Sequence, residues 1–328
     1  MGPYPGVVVP KIELHVHLEG AIRPPTLLEI AHRNGEVLPS DTVEGLAALY
    51  EFRDFAHFID VWILTTNCLR RRDDFHQVVV DYAGEAAGFG AVYLEGIFSP
   101  CERVMRGVAW DDIFGGYADG AEEALERYGV TVHFTPDLYR GVDPELAEEA
   151  ARVAVRYRDR GMVGLGLGGM EAGMPLHPYL RAFEIARDGA LGIVPHAGEA
   201  AGPDSIREVL DLNPDRIRHG IRAVEDPALL AEIFDRGLVL DVCPTSNVRT
   251  GVVPSLAAHP LPALRAAGIP CTVNTDDPAM FGTDLGQEFV VAAELGLSAS
   301  DAFSAGVAGA LCDDVTRARL AELGRTAF

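Results

Sequence analysis

Glu13-Leu14-His15-Val16-His17-Leu18-Glu19-Gly20 places two histidines two residues apart at the end of an apolar segment. Side chains at positions i and i+2 of a β-strand point to the same face, about 6.6 Å apart at their α-carbons, so His15 and His17 can converge on one ion. Catalytic zinc sites use imidazoles and carboxylates and leave one position for water. The segment therefore predicts a strand that supplies half of a zinc site.

Seven further short apolar segments follow this one, and helical patterns separate most of them. This alternation predicts a parallel sheet. Eight such units in 328 residues predict an α/β protein, a (β/α)8 TIM barrel of the metal-dependent hydrolase type. A doubly wound sheet is the alternative, but no GxGxxG motif opens a helix after the first strand. The eight predicted strands are residues Lys11–Leu18, Ala91–Ser99, Val130–Tyr139, Met162–Gly169, Gly192–His196, Arg216–Ile221, Leu238–Cys243 and Pro270–Thr275.

Reactive side chains of a (β/α)8 barrel lie at the C-terminal ends of its strands. The candidates in this chain lie there: His15 and His17 on the first strand, His196 on the fifth, His219 on the sixth, and Asp276 and Asp277 on the eighth. We predict that the metal ligands are His15, His17, His196 and Asp276, with water completing the coordination shell.

The number of metal ions is predicted from the absence of a lysine on the middle strands. Many barrel hydrolases with a His-x-His motif hold two ions through a modified lysine on a middle strand. Lys11 is the only lysine in this chain, and it lies on the first predicted strand. The sequence therefore predicts one Zn²⁺ per chain.

The interval between the first two strands is too long for one crossover helix. We predict a single barrel domain over residues 1–328, with a helical insertion at residues 21–90 that covers the barrel mouth. Phe58, Ile59 and Trp62 share one helical face in this insertion. They predict an apolar lid over a flat ring, with ordinary core packing as the alternative.

Composition limits the classes of partner. The net charge of -22 argues against nucleic acid, which needs a basic surface to displace phosphate counterions. The sequence has no run of 18 apolar residues that would predict a membrane span, and the start of the chain does not resemble a signal peptide. A cytoplasmic location is therefore expected. Five cysteines without a CxxC pair indicate neither a disulfide framework nor a cysteine zinc site. Composition leaves the oligomeric state open.

Glu199 and His219 are the predicted catalytic residues. His219 is placed to orient or deprotonate the attacking water, since a base needs hydrogen-bond reach of the nucleophile; the alternative is a buried structural histidine. Glu199 lies three residues after His196 and can give and take a proton; the alternative is support of His196. Of the adjacent acids, Asp276 can bind metal while Asp277 contacts substrate, unless Asp-Asp-Pro is only a turn.

Six segments of this sequence resemble the zinc-dependent adenosine deaminases of the amidohydrolase superfamily. The resemblance runs from about Pro10 to about Gly286. Its motifs are HVHLEG (15–20), GLGGME (166–171), HAGE (196–199), RHG (218–220), CPTSN (243–247) and NTDDP (274–278).

The resemblance implies a hydrolase that replaces the 6-amino group of an adenine ring and releases ammonia. By similarity, Glu199 protonates ring N1, metal-activated water attacks C6, and His219 stabilises and helps deprotonate that water. Asp277 is implied to accept a hydrogen bond at N7, and the backbone N–H of Gly169 to donate to N3. The H-x-E and P-C-x-x-C pattern of cytidine-type deaminases is absent.

Glu19 departs from the family pattern, because typical adenosine deaminases carry aspartate where this residue meets the ribose 5′-hydroxyl. The longer side chain resembles the free-adenine deaminases and is compatible with nucleosides altered at the 5′ carbon, such as aminodeoxyfutalosine of menaquinone synthesis. Gly166 and Met170 also replace acidic residues. The fourth-strand and eighth-strand motifs favour a nucleoside. A nucleotide is disfavoured by the single lysine, although Arg23 or Arg140 could bind phosphate.

Two other classes of function remain open from the residues alone. One is a binuclear amidase or esterase of the same superfamily, which shares the His-x-His pattern and the aspartate on the last strand. The other is a non-catalytic binding protein on a deaminase scaffold.

Overall fold

The computed structural model describes residues 9–52 and 55–328, and its strands form an eight-position parallel barrel that confirms the predicted fold. The strands are β1 (Lys11–His17), β2 (Ala91–Ile97), β3 (Thr131–Phe134), β4 (Asp137–Tyr139), β5 (Gly164–Gly168), β6 (Gly192–Ile193), β7 (His196–Ala197), β8 (Ile217–His219), β9 (Leu240–Val242) and β10 (Cys271–Val273).

Two of the eight predicted strands are each divided in two. The segment 130–139 gives β3 and β4, and the segment 192–196 gives β6 and β7. Pro136 and Pro195 lie at the breaks, and proline has no N–H to donate to a strand ladder. Their carbonyls still accept from the next strand, Pro136 from the amide of Gly166 at 2.9 Å and Pro195 from that of Arg218 at 3.0 Å. The barrel wall therefore continues through both breaks.

The barrel closes where its last strand position meets its first. Strand pairing runs β1-β2-β3, β4-β5-β6 and β7-β8-β9-β10, all parallel. A parallel bridge joins Val16 to Asp276, and the amide of His17 donates to the carbonyl of Asp276 at 2.7 Å. This closure places the end of β1 beside the residues that follow β10.

Helices surround the barrel, and proline occupies the first turn of many of them, where its missing N–H breaks no helical hydrogen bond. The helices are α1 (Pro24–Asn34), α2 (Val43–Ala47), α3 (Phe55–Thr66), α4 (Arg72–Gly88), α5 (Pro100–Met105), α6 (Trp110–Tyr128), α7 (Pro144–Arg156), α8 (Leu180–Asp188), α9 (Pro203–Leu210), α10 (Pro227–Asp235), α11 (Pro244–Arg249), α12 (Leu261–Ala266), α13 (Pro278–Phe281), α14 (Leu285–Glu294), α15 (Ala299–Gly309) and α16 (Asp314–Ala327).

Four helices, α1 to α4, lie between β1 and β2, after a 3-10 turn at Glu19–Ala21. Helix α4 packs along α6 on the outside of the barrel. Helix α3 contributes Phe58 to a buried apolar cluster with Tyr50, Met280 and Phe281. The rings of Phe58 and Phe281 lie 5.2 Å apart, so α3 is packed against α13, the short helix that follows β10.

The barrel interior contains a buried ionic network that its apolar strand patterns do not indicate. Arg216, at the start of the sixth strand position, is completely buried. Its guanidinium donates to Glu95 at 2.7 Å and to Asp241 at 2.5 Å. It also donates to the carbonyls of Leu14 at 3.1 Å and Gly309 at 2.6 Å. One side chain thus connects β1, β2, β9 and α15.

Among the described residues, no single helix has both the length and the apolar character needed to cross a membrane. Helices α14 and α15 pass this criterion only as a pair, by length and composition, and they are bent by 116° relative to each other. Helix α15 packs against β1 and β10.

Candidate metal centre and active site

His15, His17, His196 and Asp276 bring four possible ligand atoms together at the C-terminal end of the barrel. His15 Nε2 lies 3.1 Å from His196 Nε2 and 3.1 Å from Asp276 Oδ1. His17 Nε2 lies 3.3 Å from each of the same two atoms. The structure therefore gathers all four predicted ligands.

The spacing of these atoms fits a zinc ion. Zinc–ligand bonds of about 2.0–2.1 Å in a tetrahedral arrangement separate neighbouring ligand atoms by about 3.3 Å. Burial lowers the pKa of His15 and His196 and lowers that of His17 to about 4. The three imidazoles are therefore neutral at physiological pH, which is the protonation state that binds a metal.

Neighbouring groups orient two of the four ligands. His196 Nδ1 lies 3.1 Å from the carbonyl of Leu167 and 3.3 Å from Asp137 Oδ2. The Nδ1 proton therefore has acceptors, and Nε2 keeps its lone pair for a metal. Ser246 Oγ donates to Asp276 Oδ2 at 2.6 Å, so the other carboxylate oxygen is the one turned toward the histidines.

The backbone at two site residues adopts an uncommon conformation. Asp276 has φ of 65° and His219 has φ of 60°, in the left-handed region that favours glycine. Asn274, two residues before Asp276, holds the segment that carries this aspartate in place. Its side-chain oxygen accepts from the backbone amides of Leu14 at 2.8 Å and His15 at 3.1 Å. The side chain of Asn274 thus fixes the segment of Asp276 to β1, which carries His15 and His17.

Glu199 lies near the candidate ligands, in a turn that is held by another carboxylate. Both oxygens of Glu171 are used: one accepts from Gly198 and Ser205, and the other from the amides of Glu199 at 3.1 Å and Ala201 at 2.9 Å. Burial alone would raise the pKa of Glu171, but these hydrogen bonds outweigh burial and lower it. Glu171 is therefore an anionic anchor for the turn.

The pKa of Glu199 moves in the opposite direction. Burial raises it to about 7, and the negative charges of Asp276 and Glu171 act in the same direction. A carboxyl group with this pKa holds a proton at neutral pH in a substantial fraction of molecules. Glu199 can therefore supply a proton.

A chain of hydrogen bonds fixes the tautomer of His219. The amide of Leu261 donates to His259 Nδ1 at 3.1 Å, so neutral His259 carries its proton on Nε2, 3.1 Å from Asn247 Oδ1. The side-chain nitrogen of Asn247, Nδ2, then donates to His219 Nδ1 at 3.2 Å. Burial lowers the pKa of His259 to about 4, which keeps it neutral. His219 therefore carries its own proton on Nε2.

This tautomer bears on the predicted role of His219. Its Nε2 lies 3.6 Å from Glu199 Oε2 and 3.7 Å from Asp276 Oδ2. A protonated Nε2 donates a hydrogen bond and has no lone pair with which to remove a proton. Of the two roles predicted for His219, the network favours orienting the water over deprotonating it.

A cavity of about 540 Å³ adjoins these residues, a size within the range of small-molecule sites. The predicted substrate-binding residues Gly169, Asp277, Phe58, Ile59 and Trp62 all line it. The carboxylate of Glu19 is buried, and it accepts from the amide of Ser99 at 3.0 and 3.1 Å. Burial raises the pKa of Glu19 to about 7.

The hydrogen bond expected between Asp277 and purine N7 needs a correction of direction. Ring N7 has a lone pair and no hydrogen, so its partner must donate. Burial raises the pKa of Asp277 well above the ordinary value, and the charges of Asp276, Glu199 and Glu19 raise it further. Among the residues that the structure describes, none is a hydrogen-bond partner of the buried Asp277 Oδ1. Protonated Asp277 is therefore suited to donate to N7, not to accept.

The described residues contain one other group with metal-ligand spacing, formed by His219, Cys243 and Asp276. It shares Asp276 with the first group. Burial raises the pKa of the Cys243 thiol well above its usual range, so the thiolate that binds metals is disfavoured. This geometry gives little support to the binuclear alternative.

Sequence reasoning assigned no role to several residues that the structure brings to the site. Glu171 ends the quoted GLGGME motif, Ser246 and Asn247 lie in CPTSN, and Asp137 follows Pro136. The sequence did contain a signal for these residues, because each lies near the end of a predicted strand or in one of the six motifs. Their partners, however, come from other strands, so their roles depend on three-dimensional neighbours.

Comparisons with known proteins identify relatives of this chain. The adenosine deaminase family model matches residues 10–324. An aminodeoxyfutalosine deaminase from Acidothermus cellulolyticus is 58% identical over 324 residues, which cover 96% of this chain and 91% of that protein. The crystal structure of an adenine deaminase from Arthrobacter aurescens superposes with a TM-score of 0.91 at 31% identity, covering 97% of this chain and 98% of that one.

A further structure connects the fold with a metal. An amidohydrolase from Burkholderia ambifaria, solved with bound zinc, has a TM-score of 0.87 at 25% identity and covers 98% of this chain and 93% of its own. The resemblance stated from the six motifs is therefore confirmed across nearly the whole chain, and with it the prediction of a deaminase-type hydrolase. The chain belongs to the adenosine deaminase family.

Proposed function

We propose that this protein is a mononuclear zinc hydrolase that removes the 6-amino group of an adenine nucleoside, with 6-aminodeoxyfutalosine as its substrate. One observation carries the reaction: the proton donor Glu199 lines the same cavity as His17, His196 and Asp276, three of the four candidate ligands. The aminodeoxyfutalosine deaminase that is 58% identical supports the choice of substrate. A role in menaquinone synthesis, in the cytoplasm, follows from that choice.

His15, His17, His196 and Asp276 would hold the zinc ion, which when bound supplies Lewis acidity that makes water acidic near neutral pH. The protein's own groups act on the purine. Glu199, with its pKa raised to about 7, donates a proton to ring N1. Protonation of N1 removes the aromatic resistance of C6 to attack. The attacking water forms the C6–O bond and gives up two protons, one to the Glu199 carboxylate, which regenerates the acid, and one to the amino group. The C6–N bond then breaks and the amino group leaves as ammonia, with the carbonyl formed at C6 and the proton kept on N1.

Two groups orient the reacting partners. His219 donates from Nε2 and holds the attacking water in position, because Nδ1 is occupied by Asn247. Asp277, held protonated by burial and by nearby acids, donates to N7 and selects the face of the purine that is presented. The backbone of Gly169 lies on the cavity wall, where it is suited to contact N3.

Free adenine is the second candidate substrate. The Arthrobacter structure with TM-score 0.91 is an adenine deaminase. Glu19 also favours this candidate, since its buried carboxylate already accepts from Ser99 and is less available to a ribose hydroxyl. The two candidates differ only in what occupies the part of the cavity beyond the purine.

A substrate comparison tests the proposal. Zinc-loaded protein is given 6-aminodeoxyfutalosine, adenosine and adenine, and ammonia release is measured. We expect the highest kcat/KM for 6-aminodeoxyfutalosine, about one zinc per chain by elemental analysis, and loss of activity on chelation. A preference for free adenine would support the second candidate, and two tightly bound ions would support a binuclear enzyme.

Glu199→Gln tests the proton donor. We expect the variant to retain zinc and to lose about 10²- to 10⁴-fold in kcat, the usual contribution of a general acid. In the unsubstituted enzyme the donor must be protonated, so kcat/KM should fall as pH rises above about 7. Normal deamination by Glu199→Gln would show that another group protonates N1.

A further inference from the structure

The guanidinium of Arg103 is buried at the wall of the cavity. Arg103, on α5, is 1% exposed, and its Nε and Nη1 have no hydrogen-bond partner within the part of the chain that the structure describes. A buried donor without an acceptor has lost its hydrogen bonds to water and gained none in return, and this desolvation cost is larger for a charged group. An unpaired buried guanidinium of this kind is suited to a ligand that brings its own acceptor.

The acids around Arg103 do not neutralise it by contact. Both carboxylate oxygens of Glu19 accept from the amide of Ser99. Among the described residues, Glu102 Oε2 and Arg103 Nε and Nη1 are all buried without a hydrogen-bond partner. Arg103 is near enough to lower the pKa of Glu102, yet burial raises that pKa to about 8, so this carboxyl group is mostly uncharged at neutral pH. The site around Arg103 therefore has an uncompensated positive charge.

The surrounding cavity wall is apolar. The ring of Trp62 lies 5.9 Å from the Arg103 guanidinium. Ile63 is 46% exposed and Met105 is 58% exposed, and both line the cavity. Large apolar side chains that are exposed at the mouth of a cavity can pack against an apolar part of a ligand. An aromatic ring of that ligand can stack between these side chains and the guanidinium.

We propose that Arg103 forms an anion subsite that binds a carboxylate carried by an aromatic group on the 5′ side of the nucleoside. This inference rests on the proposed deamination of an adenine nucleoside and adds the group that the enzyme selects. The unpartnered Nε and Nη1 can each donate a charge-assisted hydrogen bond to an anionic acceptor. Glu19, which the resemblance puts at the 5′ position, accepts from the amide of Ser99, the residue that precedes α5, and α5 carries Arg103. The subsite therefore lies on that side of the purine.

Arg140 was the other candidate for this role. It is also buried, and its Nε and Nη1 have no hydrogen-bond partner in residues 9–52 and 55–328. Its Nη2, however, donates to the carbonyl of the candidate ligand His196 at 3.3 Å, and its positive charge acts on Glu171. Arg140 therefore belongs to the metal side of the cavity.

A phosphate would need the same positive charge but different surroundings. It is more strongly hydrated than an aryl carboxylate and lacks an apolar body to cover Ile63 and Met105. Lys11 cannot assist, because its ammonium donates to the carbonyls of Val9 and Phe89. The test therefore includes adenosine 5′-phosphate as a competing anion.

The decisive experiment compares substrates in the unsubstituted enzyme. kcat/KM is measured for 6-aminodeoxyfutalosine, for an analogue whose aryl carboxylate is replaced by hydrogen, for adenosine and for adenosine 5′-phosphate. We expect at least about a 30-fold preference for the carboxylate over the neutral analogue, which corresponds to loss of one partner of a buried hydrogen-bonded charge pair. The preference should lie mainly in KM.

Arg103→Gln identifies the responsible residue. We expect this variant to lose the carboxylate preference while its kcat/KM for the neutral analogue changes by less than about threefold. Arg106 is exposed and lies one helical turn after Arg103, and Arg106→Gln should keep the carboxylate preference. If Arg106→Gln loses this preference and Arg103→Gln keeps it, the anion subsite is at Arg106 and the proposal is overturned. Arg181→Gln, on the surface of α8, is the matched control for removing an arginine. Circular dichroism checks the fold of each variant.

The outcomes separate this inference from the proposed function. If the unsubstituted enzyme deaminates the neutral analogue as well as 6-aminodeoxyfutalosine, the subsite is wrong and the deaminase remains. A preference for adenosine 5′-phosphate would make the subsite a phosphate site and overturn the carboxylate. If no adenine compound is deaminated by zinc-loaded protein, the proposed function itself fails. Should Arg103→Gln not fold, the substrate comparison in the unsubstituted enzyme still decides.

Discussion

Glu171 stabilises the turn that carries the proposed proton donor without touching the candidate metal ligands. Its carboxylate accepts from Ser205 and from the amides of four successive residues, 198–201. A carboxylate can accept all of these bonds because it has no hydrogen of its own. The position of Glu199 relative to the purine therefore depends on a negative charge that lies outside the proposed chemistry.

We expect Glu171→Gln to lower kcat by about 10- to 100-fold, because a donor displaced by about 1 Å can cost about 10²-fold. The amide of glutamine would point N–H groups at backbone N–H groups and loosen the turn. Steady-state kinetics should show a larger effect on kcat than on KM, with zinc content unchanged. Glu184→Gln on the surface of α8 is the control. Unchanged kcat in Glu171→Gln would show that the turn holds Glu199 unaided.

The four candidate ligands were predictable from the sequence because strand geometry brings residues of these types to one end of the fold. Side chains two residues apart share a face, and the C-terminal ends of barrel strands share one end of the fold. The roles of Glu171 and Arg103 were not predictable in this way. A carboxylate that accepts backbone N–H groups, or a guanidinium left without a partner, is defined by neighbours from distant parts of the chain.

At the level of elements, the short 3-10 turn at Glu19–Ala21 brings the end of β1 against the loop after β10. Gly20 lies in this turn, and a β-carbon there would overlap the carboxylate of Asp277. Glycine at this position is therefore required by close approach, and the turn and Asp277 are fitted to each other.

Gly20→Ala should displace Asp277 and weaken the contact proposed at purine N7. We expect KM for the adenine substrate to rise about tenfold, the effect of losing roughly 1.4 kcal/mol of binding. Gly88→Ala, on α4, is the control because a β-carbon there would meet nothing within 4 Å. A Gly20→Ala enzyme with unchanged KM would show that Asp277 does not contact the base.

Element boundaries were predicted less well than element order. The alternation of strands and helices gave the barrel, but the divisions at Pro136 and Pro195 were not expected. The apolar pattern continues through each proline, since the side chains still face the core. What changes is the hydrogen bonding of the backbone, which a pattern of side-chain polarity does not report.

At the level of the whole molecule, the closed barrel depends on Arg216 as well as on apolar packing. Its bonds to Glu95 and Asp241 join strands from different parts of the circumference. Removing one partner from a buried ion network leaves the remaining charges uncompensated, which costs about 3–5 kcal/mol. The network was not apparent from the sequence, because its members are far apart along the chain.

Arg216→Leu should therefore lower the free energy of unfolding by about 3–5 kcal/mol, measured by urea denaturation of the zinc-loaded protein. Arg152→Gln is the control, because its ion pairs with Glu148 and Glu149 are on the surface and should contribute no more than about 1 kcal/mol. An Arg216→Leu protein as stable as the control would mean that apolar packing compensates for the lost network.

The left-handed backbone at His219 and Asp276 sets stability against the proposed activity at these two positions. Glycine adopts such torsion angles without steric strain, so exchange of either residue for glycine would relieve backbone strain at its position while abolishing an imidazole or a carboxylate. A glycine variant at either position would therefore exchange a proposed reactive group for a relaxed main chain.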